Sequence, residues 1–168
     1  MKIKIFTVGG TIDKVYFDDK SLYQVGKPTI ADILNESNVT LKYDIDSILR
    51  KDSLDMNKKD RELVAKKTLE DKAKRIVVTH GTDTMVQTAI KVKKVLNAAQ
   101  SKKTVVFTGS MTPANFKSSD ATFNVRGAVI ASQALPSGVY IVINGKIFNP
   151  DNSVKNIEKG CFEKIKTC

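Results

Sequence analysis

Short apolar runs rich in valine and isoleucine alternate along the chain with longer segments whose apolar residues recur every three or four positions. The short runs predict buried strands, because a strand inside a parallel sheet is apolar on both faces. The longer segments predict helices that cover the sheet. The alternation therefore predicts an α/β fold, a single domain over residues 1–168 with an open, mostly parallel sheet and helices on both faces.

The predicted elements can be placed residue by residue. In one predicted helix, for example, Met85, Ala89, Val92 and Leu96 recur at helical spacing. They therefore share one face, while the lysines between them stay in water. The predicted strands span residues 3–8, 40–46, 75–79, 104–108 and 139–143, and the predicted helices span residues 29–36, 58–72, 84–96 and 120–131.

The composition, 41% hydrophobic and 27% charged, is that of a folded domain in water. No apolar stretch approaches the roughly 20 residues of a membrane helix, and the first residues lack the layout of a signal peptide. We therefore expect a cytoplasmic protein with no membrane partner. Cys161 and Cys168 are too few for a disulfide framework and are interpreted as ordinary thiols, with a bridge between them as the alternative.

The charge balance is basic, with 28 lysines and arginines against 18 acids and a net charge of +10. The lysines occur as dispersed pairs, with acids among them and no aromatic residues interleaved, which is typical of solvated helix faces. A basic balance alone gives only salt-sensitive, non-specific attraction to nucleic acid. We therefore expect no specific nucleic-acid partner.

Glycines and hydroxyls directly follow two predicted strands. Residues 7–13 read Thr-Val-Gly-Gly-Thr-Ile-Asp, and residues 78–84 read Val-Thr-His-Gly-Thr-Asp-Thr. Ligands of open parallel sheets bind beyond the carboxyl ends of the strands, so both segments lie where a site is expected. Taken singly, a tight turn explains the first segment and a helix N-cap explains the second. The only histidine, His80, has no companions for a metal site or a catalytic triad, and we interpret it as a structural hydrogen-bonding residue.

Taken together, residues 9–12 and 80–84 resemble the paired signatures of the bacterial-type L-asparaginase/glutaminase family. Three further segments match in the right order. Residues 23–26 resemble the lid segment of the family, residues 52–56 its substrate-carboxylate loop, and residues 108–113 the strand end that closes its pocket. The family continues for about as long again, so the chain is expected to correspond to the N-terminal catalytic domain alone.

The resemblance implies hydrolysis of the side-chain amide of L-asparagine to L-aspartate and ammonia, without a cofactor or a metal. It implies that Thr11 is the nucleophile of an acyl-enzyme and that Tyr23 is brought over it by a mobile lid at residues 12–26. Lys155 follows Asn144 at the family's spacing. It is implied to transfer protons together with Thr82 and Asp83 of the second signature.

The resemblance also implies how the substrate is held. Asp83 binds the ammonium, Ser53 and its neighbouring N–H groups bind the α-carboxylate, and the backbone at Ser110 accepts from the scissile amide. N–H groups near Thr82, at a helix start, are the implied oxyanion donors. Which of the two threonines attacks first stays open. The implied substrate-binding residues are Gly10, Ser53, Thr82, Asp83 and Ser110.

Two departures from the family pattern leave alternatives open. Leu54 stands where the family usually has a glutamine, and a second domain would normally supply an acidic group to the ammonium, so we expect weaker substrate affinity. Val8 replaces a threonine, which we interpret as a packing change. The alternatives are glutamine or another side-chain amide as substrate, and a non-catalytic domain that binds asparagine or aspartate. We expect a homodimer or a higher homo-oligomer.

Overall fold

A computed structural model describes residues 1–17 and 22–165. Two predictions touch the remainder: residues 18–21 of the predicted lid and Cys168 lie outside the described residues. The described strands are β1 (Lys2–Thr7), β2 (Lys14–Phe17), β3 (Leu22–Val25), β4 (Lys42–Ser47), β5 (Arg75–Thr79), β6 (Thr104–Thr108), β7 (Gly138–Ile143), β8 (Lys146–Phe148), β9 (Ser153–Asn156) and β10 (Cys161–Lys164).

The central sheet has the strand order β4-β1-β5-β6-β7-β8. All its neighbours are parallel except β8, which runs antiparallel to β7. The predicted α/β class with a mostly parallel sheet is confirmed. Each of the five predicted strands is present, and β5 and β6 have the predicted ends.

All four predicted helices are present as α1 (Ile30–Glu36), α2 (Lys58–Glu70), α3 (Met85–Ala98) and α4 (Ala121–Ala134). Helix α2 begins at a capping box, because the Asn57 and Asp60 side chains each accept from the other's backbone N–H. It ends before residue 72, where the Asp71 carboxylate accepts the N–H of Ala73 at 2.7 Å. Helix α4 runs past residue 131 and stops short of Pro136, which cannot continue a helix.

The helices cover both faces of the sheet, as predicted. Alternate residues of each inner strand point to opposite faces. Val78 therefore belongs to the core cluster that contains Met85 of α3, whereas its neighbour Val77 belongs to the cluster that contains Val125 of α4. Within the described part of the chain, no helix is long and apolar enough to cross a membrane.

Two hairpins outside the central sheet were not predicted. Strands β2 and β3 form one hairpin, in which Tyr16 pairs with Tyr23. Strands β9 and β10 form the other, in which Lys155 pairs with Phe162. Tyr23 and Lys155 therefore lie on hairpins beside the central sheet, whereas the other implied catalytic residues follow its strand ends.

Candidate active site

The two glycine-containing turns meet backbone to backbone at the carboxyl edge of the sheet. Thr7 and Thr79 are register partners on the neighbouring strands β1 and β5, so the turns that follow them start side by side. Gly10 has a φ of 97°, and a Cβ atom on it would lie 2.2 Å from the Cα of Gly81. Only glycine permits this contact. The contact holds the turn of Thr11 against the turn of Thr82.

A third strand end closes on the same point. The N–H of His80 donates to the carbonyl of Thr108, at the end of β6, at 2.9 Å. A Cβ atom on the next residue, Gly109, would lie 2.3 Å from the carbonyl oxygen of His80. The ends of β1, β5 and β6 therefore form one continuous floor.

A lysine, a hydroxyl and a carboxylate lie on this floor in direct contact. The Nζ atom of Lys155 donates to Thr82 Oγ1 at 2.8 Å and to Asp83 Oδ1 at 2.6 Å. Thr82 is buried, while the side chains of Lys155 and Asp83 are 18% and 32% exposed. The structure thus brings together the three residues that the second signature and the lysine spacing had suggested. The cluster is partly exposed to solvent, and its lysine donates to a hydroxyl and to a carboxylate at once.

Two linked asparagine side chains, one of them buried, hold the lysine-bearing hairpin, and the sequence analysis missed them. Asn124 of α4 donates to the carbonyl of Gly109 at 3.0 Å, and its Oδ1 accepts the N–H of Asn144 at 3.0 Å. Asn144 Oδ1 in turn accepts the N–H of Phe162, the register partner of Lys155, at 3.0 Å. The sequence did contain one indication of this role: Asn124 is a polar residue in the first turn of a helix that follows a predicted strand end.

Thr11 and Tyr23 lie on the other side of the glycine contact. Thr11 is partly buried, and no hydrogen bond joins its side chain to another described residue. Tyr23 is 50% exposed, and its ring packs at a tilt against those of Tyr16 and Phe116, with centroids 5.4 and 6.3 Å apart. The structure therefore places Tyr23 on the hairpin next to the Thr11 turn, but not in hydrogen-bonding contact with Thr11.

Ser53 lies against the second turn. It is 1% exposed, and a Cβ atom on Gly81 would lie 2.6 Å from its Oγ. Within the described residues the Ser53 Oγ has no hydrogen-bond partner. Its carbonyl accepts from the hydroxyl of Thr84 at 2.7 Å. Thr84 is the N-cap residue of α3, yet its side chain makes no capping bond, so the capping explanation of this segment does not describe what the hydroxyl does.

Ser110 lies in a loop that is fixed by the start of α4. Its hydroxyl donates to the carbonyl of Thr112 at 2.5 Å. The Asp120 carboxylate accepts the N–H groups of Met111 and Thr112. These bonds hold the backbone at Ser110 beside Gly109 and the common floor.

His80 has the structural role that its isolation in the sequence suggested. It is fully buried, and its Nδ1 donates to the carbonyl of Gly81 at 2.8 Å. Burial lowers the pKa of His80 to about 4, so the ring is neutral at pH 7. Its edge packs on the ring of Phe107, with centroids 6.1 Å apart.

Val8 and Leu54, the two replaced positions of the family pattern, have different surroundings. Val8 is buried in the core cluster of β5 and α3, which agrees with a packing change. Leu54 is 72% exposed. It lines an open cavity of about 670 Å³ together with Tyr23 and Asp52. The position that usually holds a glutamine is thus directed to an open space next to the tyrosine hairpin.

The fold and the site define a class of protein: an open α/β domain with a threonine, a lysine and an aspartate gathered at the carboxyl ends of its parallel strands. Residues 2–164 match the family model described as Asparaginase, N-terminal. The chain therefore belongs to the asparaginase family, as the sequence signatures had indicated.

Individual relatives agree with this assignment. The chain is 34% identical over 161 residues to L-asparaginase 2 of Escherichia coli, which covers 88% of this chain and 44% of the relative. It is 31% identical over 134 residues to the glutaminase-asparaginase of Acinetobacter glutaminasificans, covering 77% and 38%. The crystal structure of L-asparaginase I from Vibrio cholerae superposes with a TM-score of 0.82 at 25% identity, covering 97% and 51%. The chain spans about half the length of these relatives or less.

Proposed function

We propose that this chain hydrolyses the side-chain amide of L-asparagine to L-aspartate and ammonia through an acyl-enzyme on a threonine. The observation that carries the proposal is the contact of Lys155 Nζ with both Thr82 Oγ1 and Asp83 Oδ1, at 2.8 and 2.6 Å, beside the turn of Thr11. Amide hydrolysis needs a nucleophile, proton transfer and oxyanion donors, and this floor has a candidate for each.

Thr11 is the proposed nucleophile. Its hydroxyl oxygen bonds to the amide carbon, its proton passes to a neighbouring base, and the carbon–nitrogen bond breaks to leave an ester on Thr11. Tyr23 is the proposed partner of Thr11, since it is carried by the hairpin that begins right after the Thr11 turn. Water then attacks the ester and releases aspartate. Which threonine attacks first is a separate question that single-turnover kinetics would answer.

The cluster of Thr82, Asp83 and Lys155 is the proposed proton-transfer group. A proton must reach the departing nitrogen so that it leaves as ammonia, and Lys155 with Thr82 offers a short path for it. The cluster lies immediately before α3, where the first N–H groups of the helix have no partner inside the helix. Those groups, near Thr82, are the proposed donors to the oxyanion.

Charge and hydrogen bonding support the proposed mode of substrate binding. The Asp83 carboxylate engages Lys155 through Oδ1, which leaves Oδ2 for the substrate ammonium. The buried Ser53 hydroxyl has no hydrogen-bond partner among the described residues, so it is free to donate to a carboxylate oxygen of the substrate. The backbone of Ser110 is the proposed acceptor for the scissile amide.

Glutamine is the second candidate substrate. One relative that aligns with 77% of this chain is described as a glutaminase-asparaginase. The exposed Leu54 lines an open cavity together with Tyr23, so no bulky side chain closes the space beside the proposed lid residue.

The test is ammonia release from L-asparagine and L-glutamine by the wild-type chain, Thr11→Ala and Lys155→Met. Lys159→Met is the matched control, because Lys159 lies just beyond strand β9, in the same hairpin, and its ammonium group forms an ion pair with Glu163 at 2.8 Å, away from Thr82 and Asp83. We expect both site variants to lose turnover and the control to keep it. A wild-type chain that binds asparagine in calorimetry but releases no ammonia would instead be a binding domain.

Three further parts of the proposal concern the whole protein. We propose that the chain acts as one catalytic domain, that it forms a homodimer and that it works in the cytoplasm. A monomeric mass in light scattering at micromolar concentration would contradict the dimer, and cell fractionation would test the location.

A further inference from the structure

Asp13 is a buried carboxylate that the proposed mechanism does not use. It is 2% exposed and follows Thr11 by two positions. Its N–H donates to the carbonyl of Gly10 at 3.1 Å. Asp13 therefore closes the same turn that presents Thr11 at the floor of the site.

The carboxylate of Asp13 also reaches across the chain to the start of α1. Its Oδ1 accepts the N–H of Thr29 at 2.9 Å and the hydroxyl of Thr29 at 3.0 Å. That hydroxyl lies 3.2 Å from the carbonyl of Ile12 as well. One side-chain oxygen thus fixes the N-cap residue of α1 against the Thr11 turn.

The backbone of Asp13 fixes the tyrosine hairpin. Its carbonyl accepts the N–H of Gly26 at 2.7 Å, just beyond the pair that Lys14 makes with Val25. Tyr23 lies on strand β3 of this hairpin. The segment that enters the hairpin and the segment that leaves it are therefore hydrogen-bonded to each other at Asp13.

We infer that Asp13 is a positioning residue: its main-chain N–H and carbonyl join the turn of Thr11 to the base of the hairpin that carries Tyr23, and its carboxylate holds the segment that leaves this hairpin at Thr29. The inference rests on the proposed function, because it assigns Asp13 a role in the same reaction. Turnover requires the nucleophile and its partner to be held in register, and an error of about 1 Å can cost about a hundredfold in rate.

The side-chain contact with Thr29 requires the acceptor oxygen of Asp13 rather than its charge. Only Oδ1 takes the bonds from Thr29, and within the described residues Oδ2 has no partner. Burial raises the pKa of Asp13 above its ordinary value, while the bonds from Thr29 and the charge of Arg50 act in the opposite direction. An asparagine has an acceptor oxygen of the same reach and no charge to bury.

The experiment compares Asp13→Ala, Asp13→Asn and the control Asp71→Ala, with kcat and KM for ammonia release measured on folded protein. The Asp71 carboxylate also accepts a backbone N–H, but in the segment that leads into β5, at the amino ends of the strands and away from the candidate site. We expect Asp13→Ala to lower kcat by about 10- to 100-fold with KM within about threefold. Asp13→Asn restores most of kcat, and Asp71→Ala lowers only the melting temperature.

A kcat of Asp13→Ala within about twofold of wild type would overturn the inference, as would an Asp13→Asn variant that is equally impaired. Amide hydrogen exchange at Thr29, whose N–H bonds to the Asp13 side chain, tests the tie without any turnover. Exchange at Thr29 that is at least about tenfold faster in Asp13→Ala, but not in Asp71→Ala, supports it. If wild type releases no ammonia, the proposed function fails, and unchanged exchange would overturn the tie as well.

Discussion

The cluster around Lys155 and the turn of Thr11 lie at neighbouring strand ends, yet their side chains are engaged to different degrees. Lys155 donates to Thr82 and Asp83 at 2.8 and 2.6 Å. Thr11 makes no side-chain hydrogen bond to any described residue, and Tyr23 is half exposed on its hairpin. One half of the candidate site is assembled, and the other half has its parts nearby but unconnected.

This difference shows which half of the candidate site has its side chains already in contact in the folded chain. Groups that are already aligned need no reorganisation during the reaction, and this is the main source of electrostatic stabilisation in enzymes. The Lys155 cluster fits that description. In the proposed reaction Thr11 and Tyr23 would have to come into contact, so the contribution of this pair depends on how the hairpin is held. The predictions below test the two halves separately.

The largest expected effect is at the assembled half. Thr82→Val keeps the shape of the side chain but removes the hydroxyl that Lys155 contacts, while the pair of Lys155 with Asp83 remains. We expect kcat to fall by about a thousandfold with KM within about threefold, because one proton-transfer group is lost. Steady-state ammonia release measures both constants. Thr88→Val, another buried threonine of the α3 region, is the control, and a Thr82→Val rate within about tenfold of wild type would show that Lys155 acts without Thr82.

The second expected effect concerns the floor that joins the two halves. His80 is buried and neutral, with a pKa lowered to about 4 from an unfolded value near 6.5. The unfolded chain therefore binds more protons between these values, so the stability due to neutral His80 is present above pH 6.5 and lost as pH falls towards 4. The loss is on the order of 3 kcal/mol at pH 4.

Urea unfolding from pH 7 to pH 4 measures this loss. His80→Asn keeps a donor near Nδ1 for the carbonyl of Gly81 but cannot be protonated in this range. The variant is less stable at pH 7, because it leaves a space beside Phe107. The difference in free energy of unfolding between wild type and variant should become smaller as the pH falls. A difference that stays constant would mean that His80 does not change its protonation on unfolding.

The fold was largely predictable from the sequence because its signals are local. The apolar runs at β5 and β6 are bounded by polar residues on both sides, so even their ends were predicted. The hairpin of β9 and β10 was missed because it is short and its residues alternate weakly; Val154 is 46% exposed, while its neighbour Ser153 is buried. Its place is set by the bond from Phe162 to Asn144, which no periodicity encodes.

The candidate site was predictable only in part, for a related physical reason. The glycine-containing segments after two predicted strands indicated where a site is expected, but not that Gly10 would meet Gly81. The grouping of Lys155 with Thr82 came from the family resemblance, since their separation along the chain carries no information about contact. Asn124 and Asp13 were missed because their partners are backbone groups distant in sequence.

The third effect tests the unconnected half. Tyr23→Phe removes only the hydroxyl and keeps the ring contacts with Tyr16 and Phe116. If Tyr23 partners Thr11 during turnover, kcat should fall by about a hundredfold. Tyr16→Phe is the matched control, because Tyr16 pairs with Tyr23 across the hairpin and is equally exposed. Equal rates for the two variants would remove Tyr23 from the mechanism and leave Thr11 to be activated from the Lys155 side.

The smallest effect concerns substrate affinity at the rim between the two halves. Leu54 is 72% exposed, and its own N–H is held by Asp52 at 3.1 Å, so its side chain can be changed without moving the loop. Leu54→Gln supplies the polar group that the family usually has here, and one added hydrogen bond to a charged substrate should lower KM for asparagine by about tenfold at constant kcat. Leu54→Met, with similar volume and no amide, should leave KM unchanged. If both variants lower KM equally, the gain comes from packing against the substrate and not from the amide.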